Sequence, residues 1–108
     1  MQEIKSILND VKICLENVYG SNLVDIILIG SHARGDFTDG SDIDILILLE
    51  NMDNPITEME KYFDLIWELD LKYDTLISVI PLTPEEYRTR RAPLILNARK
   101  EGVSILRT

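Results

Sequence analysis

Apolar residues recur with two different periods along this chain, and the changes of period mark its elements. Ile4, Ile7, Leu8, Val11, Leu15 and Val18 follow three- and four-residue steps, which predicts an amphipathic first helix ended by Gly20. Val24 to Ile29 is a short β-prone run with Asp25 as its only polar member, and it stops at Gly30. Ile43 to Leu49 is apolar on both faces, which predicts a strand in the middle of a covered sheet. Asn51 to Pro55 reads as a turn, with Asn54 capping the next helix and Pro55 at its first position. Ile56, Met59, Phe63, Ile66 and Trp67 form that helix's expected buried stripe. Thr75 to Pro81 reads as a third strand, and Thr83-Pro84-Glu85-Glu86 is a capping box. A helical region follows, broken near Pro93 and closed by Gly102 before a short apolar end at Val103 to Leu106.

This order predicts an α/β domain with a mixed sheet of three or more strands and flanking helices. A helix joins the second and third strands, so they should be parallel with a right-handed crossover. The short gap between the first two suits antiparallel neighbours. Gly30, Ser31, Asp42, Asp44 and Asp74 are then expected at one edge of the sheet.

Length and charge narrow the function. The 108 residues have room for one domain, taken as residues 1–108, and their 45% apolar share is that of a globular chain. No apolar run reaches the ~18 residues of a membrane span. The N-terminus, MQEIKSILNDVK, is amphipathic and mixed in charge, unlike a signal peptide. Cys14 is the one cysteine, expected as a buried, inert thiol, and it suits a reducing cytoplasm. A net charge of −8 argues against a broad nucleic-acid footprint. The basic strip of Arg88, Arg90, Arg91, Arg99 and Lys100 suits one anion or an acidic partner, or is a solvated helix face.

The chemistry lies in "GSHARGDFTDGSDIDILILL", Gly30 to Leu49. Residues two apart on a strand share a face, so Asp42 and Asp44 aim together, about 6–7 Å apart. A hard divalent cation such as Mg²⁺ offsets both charges. Asp74 is the expected third ligand, although Asp70 lies one helical turn earlier and competes for that place. Carboxylates around Mg²⁺ are the apparatus of phosphoryl and nucleotidyl transfer. Gly30 admits a ligand close to the backbone, and Ser31 leads into free N–H groups suited to phosphate. Arg34 offers a fork for phosphate oxygens, or bridges to Asp36 or Asp74. Ser41 caps the start of the strand or touches phosphate. His32 is expected to face solvent, and Asp36 and Asp39 to be turn residues. One histidine and one cysteine cannot build a usual zinc site, and neither a P-loop nor a Gly-x-Ser-x-Gly elbow is present.

Gly30-Ser31, ten intervening residues and Asp42-Ile43-Asp44 resemble the signature of the DNA polymerase β-like nucleotidyltransferases. "GSHARGD…SDID" is similar in particular to the minimal nucleotidyltransferase, or MNT, branch, and the ending "RRAPLILNARKEGVSIL" resembles that branch's usual close. The resemblance implies the nucleotidyltransferase, polymerase β palm-like fold. It implies ATP held at Gly30 and Ser31; Arg34 and Ser41 stay candidate nucleotide contacts on their own chemistry, beside their structural alternatives. It implies Mg²⁺ on Asp42 and Asp44, and Asp74 in the third-carboxylate position, where it could help deprotonate the attacking hydroxyl. It further implies a cytoplasmic antitoxin that transfers AMP to a tyrosine of a HEPN-domain ribonuclease toxin encoded beside it. No direct nucleic-acid or membrane contact belongs to that reading. With almost no length for a substrate-binding domain, the acceptor is expected on another chain. Two alternatives stand beside it: a module that neutralises its partner by contact alone, and nucleotidyl transfer to a small molecule.

Overall fold

A computed structural model describes residues 4–38 and 40–106. The expected turn residue Asp39 and the first three residues of the amphipathic N-terminus lie outside the described residues. The elements follow in the order α1 (Ile4–Tyr19), β1 (Leu23–Ile29), α2 (Gly30–Arg34), β2 (Ile43–Leu49), α3 (Pro55–Tyr73), β3 (Ile77–Leu82), α4 (Pro84–Thr89), α5 (Pro93–Glu101) and β4 (Val103–Ser104). The four strands form one mixed sheet in the order β3-β2-β1-β4. As the spacing predicts, β1 and β2 are antiparallel and β2 and β3 are parallel. The short C-terminal strand β4 pairs antiparallel with β1, and Ser104 Oγ donates to the Asp25 carboxylate at 2.7 Å. This hydrogen bond accounts for the one acidic residue inside β1.

Alternation along β2 supplies both faces of the sheet. Ile43, Ile45, Ile47 and Leu49 enter a core with Ile7, Val11 and Leu15 of α1 and Tyr62, Ile66 and Leu69 of α3. Leu46 and Leu48 point the other way, onto Ile27, Ile29, Leu82 and the α5 residues Ile95 and Ala98. By the same alternation Asp44 belongs to the second face. The helix caps form as the sequence predicts: Asn54 Oδ1 accepts from the Thr57 N–H at 2.9 Å, and Thr83 and Glu86 close a capping box.

Helix α3 is rotated relative to the expectation. Of its predicted buried stripe only Ile66 is buried, whereas Ile56, Met59, Phe63 and Trp67 are exposed. The face against the sheet is Glu58, Tyr62, Ile66 and Leu69. Tyr62 carries its hydroxyl inward because the Val79 carbonyl accepts it at 3.0 Å. Glu58, 1% exposed, is held by the Tyr19 hydroxyl at 3.1 Å, the Asp53 N–H at 2.9 Å and the Lys61 ammonium at 3.2 Å. Burial pushes its carboxyl up, but these donors outweigh burial and leave it below the ordinary value. Cys14 is half-buried rather than buried, packed against the core, with its thiol raised by burial and then by Asp10 and Glu68.

Candidate nucleotidyl-transfer site

The first turn of the site is built where β1 gives way to α2. Gly30 has φ +74°, a left-handed conformation that glycine adopts without penalty. A Cβ at this position would stand 3.0 Å from Asp44 Oδ2. The lack of a side chain lets the Asp44 carboxylate lie this close to the turn, and any Cβ there would press on it. Ile29 pairs with Asp44 across β1 and β2, which sets the two against each other. Ser31 follows, its carbonyl accepting from the N–H groups of Gly35 and Asp36 at 2.9 and 3.1 Å. The N–H groups of the first turn of α2 have no partner within the helix.

Asp44 is half-buried on the face of the sheet away from α3, and Asp42, exposed, immediately precedes the strand. Neither carboxylate has a hydrogen bond or an ion pair among the described residues, in contrast to every other acid drawn into the fold near a donor. Two unpaired carboxylates at the start of β2, one of them against a glycine, are a hard-oxygen donor set of the kind Mg²⁺ takes. The residue present therefore fits the ion that the motif implies.

The third carboxylate does not join them. Asp74 caps the C-terminus of α3 with φ 49°, its N–H bonded to the Asp70 carbonyl, and it is exposed three residues before β3 begins. Among the described residues no group of three or more His, Cys, Asp or Glu side chains stands ready to hold a metal. The β3 residue opposite Asp44 is Ser78, half-buried, which sequence reasoning did not single out. The register alone identifies it, because β3 starts at Ile77 rather than Thr75. Asp70 is a structural acid: its Oδ1 accepts the Ile77 N–H at 2.9 Å, and burial raises its carboxyl despite that bond.

The loop between the two halves of the motif is held from within. His32 does not face solvent: its ring stacks on Phe37 with centroids 4.5 Å apart, and Nε2 lies 3.3 Å from the Ser41 carbonyl. Ser41 Oγ accepts the Thr38 N–H at 2.9 Å, so its hydroxyl closes a turn. Arg34 pairs with Asp36 at 3.1 Å and with Glu101 of α5 at 3.7 Å, not with Asp74. Its guanidinium thus ties α2 to α5 beside the site. Much of the basic strip is likewise used internally: Arg90 pairs with Glu86, and Arg99 donates to the carbonyls of Tyr87 and Arg88. No helix among the described residues is long and apolar enough to cross a membrane.

A mixed sheet that sets Gly-Ser at the end of one strand against Asp-x-Asp at the start of the next defines a nucleotidyltransferase. The chain belongs to the nucleotidyltransferase domain family, whose model matches residues 9–102. Two similar proteins of Methanocaldococcus jannaschii are each named "putative protein adenylyltransferase". One is 38% identical over 72% of this chain and 78% of its own length, the other 37% identical over 83% of each. A solved "putative nucleotidyltransferase" of Sulfolobus solfataricus, 27% identical, superposes with a TM-score of 0.62 over 93% of this chain and 79% of that one. Two structures share the fold at lower identity. A toxin–antitoxin complex with AMP-PNP is 22% identical, with a TM-score of 0.65 over 89% of this chain and 69% of that one. A complex of a tri-AMPylated Shewanella oneidensis HEPN toxin with an MNT antitoxin is 20% identical, with a TM-score of 0.61 over 93% and 69%.

Proposed function

We propose that this protein is an adenylyltransferase that moves AMP from ATP to a tyrosine hydroxyl of a HEPN-domain partner, acting as its antitoxin. The observation that carries the reading is the Asp42–Asp44 pair, unpartnered in the described chain and seated against Gly30. The names of the Methanocaldococcus relatives favour a protein acceptor, and toxin–antitoxin structures share the fold.

Asp42 and Asp44 would hold Mg²⁺, which when bound neutralises polyphosphate charge and polarises the phosphorus under attack. Gly30 keeps the backbone open to the nucleotide, and the Ser31 hydroxyl with the free N–H groups of α2 receives phosphate oxygens. The acceptor oxygen bonds to the α-phosphorus as the bond from that phosphorus to the bridging oxygen breaks. AMP is thereby transferred, pyrophosphate leaves, and the hydroxyl proton passes to solvent at this exposed edge. Arg34 and Ser41 act as positioning residues in this scheme, because both are engaged in holding the loop. Asp74 is left out of it.

Intact-mass measurement of the neighbouring HEPN-domain protein after incubation with this chain, ATP and Mg²⁺ tests the proposal. One or more AMP increments are expected, with Asp42→Asn and Asp44→Asn each slowing transfer by at least about 100-fold. If both variants still neutralise the partner and no increment forms, the protein works by contact alone. That reading has its own support in the exposed apolar face of α3.

A further inference from the structure

The face of α3 that points away from the sheet carries an apolar stripe without a partner in this chain. Ile56, Met59, Phe63, Trp67 and Leu71 recur at three- and four-residue steps and are 72, 45, 62, 52 and 65% exposed. Together they expose on the order of 600 Å², the upper end of what a monomer shows in one patch. That is most of the ~800 Å² that a standard interface takes from one partner. At 1.5 Å per residue the stripe is roughly 22 Å long, a good match to a helix of four turns.

Charge selects the occupant. Glu60, Asp64 and Glu68 run along one flank of the stripe, all exposed and none in an ion pair among the described residues. The lysines of α3 are turned elsewhere, Lys61 to Glu58 and Lys72 to Asp10. A second copy fits poorly. Two chains of net charge −8 repel, and an antiparallel twofold pair of α3 helices would set the same three carboxylates against one another. An anionic surface is repelled for the same reason. An apolar ridge with a row of lysines or arginines beside it satisfies both features.

We infer that the outer face of α3 is a docking surface for an amphipathic helix of another protein, apolar at its centre and basic along one side. The inference goes beyond nucleotidyl transfer and does not depend on it. Asp44 lies on the opposite face of the sheet, with Asp42 just before its strand, so a docked helix leaves this pair open. Trp67 is the chain's one tryptophan and stands within the stripe, so its emission reports occupancy without a label.

The test uses two lactam-bridged helical peptides with one shared apolar stripe, flanked by lysines in one and glutamates in the other. Titration of the whole protein with the lysine peptide should give a saturable blue shift of Trp67 emission, and the glutamate peptide none at the same concentrations. Glu60→Lys/Asp64→Lys/Glu68→Lys should weaken the lysine peptide at least tenfold and admit the glutamate peptide. Phe63→Ser should weaken binding with an unchanged Tm, because it removes only exposed surface. Asp42→Asn/Asp44→Asn should bind like the parent, which separates this surface from the transfer site. Equal binding of both peptides, or of neither, overturns the inference. A shift that grows with protein concentration alone assigns the face to a second copy. A shift with phosphatidylcholine vesicles but neither peptide assigns it to a membrane.

Discussion

Glu58 and Asp44 are both carboxylates drawn into the fold, and the chain treats them in opposite ways. Glu58 is fully buried and meets a tyrosine hydroxyl, a backbone N–H and a lysine. Asp44 is half-buried beside Asp42 and meets none of these among the described residues. Taking a charge from water costs free energy unless donors replace the lost hydration. At Glu58 the chain supplies the donors itself, so the residue serves the structure. At Asp44 it supplies no donor among the described residues and only a glycine beside the carboxylate, which under the proposed function leaves the charge for a bound cation. A carboxylate's partners, more than its burial, separate an architectural acid from a chemical one.

The contrast can be broken from either side. Glu58→Ala strands the Tyr19 hydroxyl and the Asp53 N–H and opens a hole under α3; it should cost about 3 kcal/mol, a fall of roughly 10 °C or more in Tm. Calorimetry checks this, and the companion Asp44→Asn should leave Tm unchanged or higher while abolishing transfer. A loss of stability in Asp44→Asn as large as in Glu58→Ala would erase the distinction. Gly30→Ala comes next. Its left-handed backbone costs about 1–2 kcal/mol with a side chain present, and the new Cβ presses on Asp44 Oδ2. Transfer should fall more steeply than Tm, as paired activity and melting curves would show.

The smallest effect is in pH. Glu58's carboxyl lies below its ordinary value of 4.5 in the folded protein. Its stabilising contribution is therefore complete above that value and is lost as pH falls through the lower folded one. The Tm difference between the parent and Glu58→Gln should be constant from pH 7 to about 5 and shrink on further acidification. A difference that widens there would reverse the assigned sign.

The two halves of the site were not equally legible. That Gly30 at the end of β1 comes against Asp44 at the start of β2 could be read directly, because the strands bracket the motif tightly. The expected third carboxylate is less legible, because its place turns on where β3 begins. A strand placed to start at Thr75 puts Asp74 beside the pair, but a start at Ile77 brings Ser78 across from Asp44 and leaves Asp74 as a helix cap. His32 departs from the expectation of facing solvent and stacks on Phe37, whereas Arg34 forms the Asp36 bridge that the sequence offers as one alternative and adds Glu101 of α5, and Ser41 closes a turn with Thr38. Those partners come from the loop and, for Arg34, from the distant helix α5, so no local period announces them.

The amino-acid sequence by itself determined the main helices and strands, the antiparallel pairing of β1 with β2, the parallel pairing of β2 with β3 and the spacing of the two aspartates, since each rests on local periodicity or on the length of a connection. Only the tertiary structure decided which side of α3 faces the sheet. Apolar residues cover two sides of that helix, so hydrophobic period fits both. The choice fell to the side where Tyr62 finds the Val79 carbonyl and Glu58 finds Tyr19 and the Asp53 N–H, and Phe63 and Trp67 were turned outward. Those hydrogen bonds join residues as much as 39 apart in the chain, beyond the reach of any local pattern.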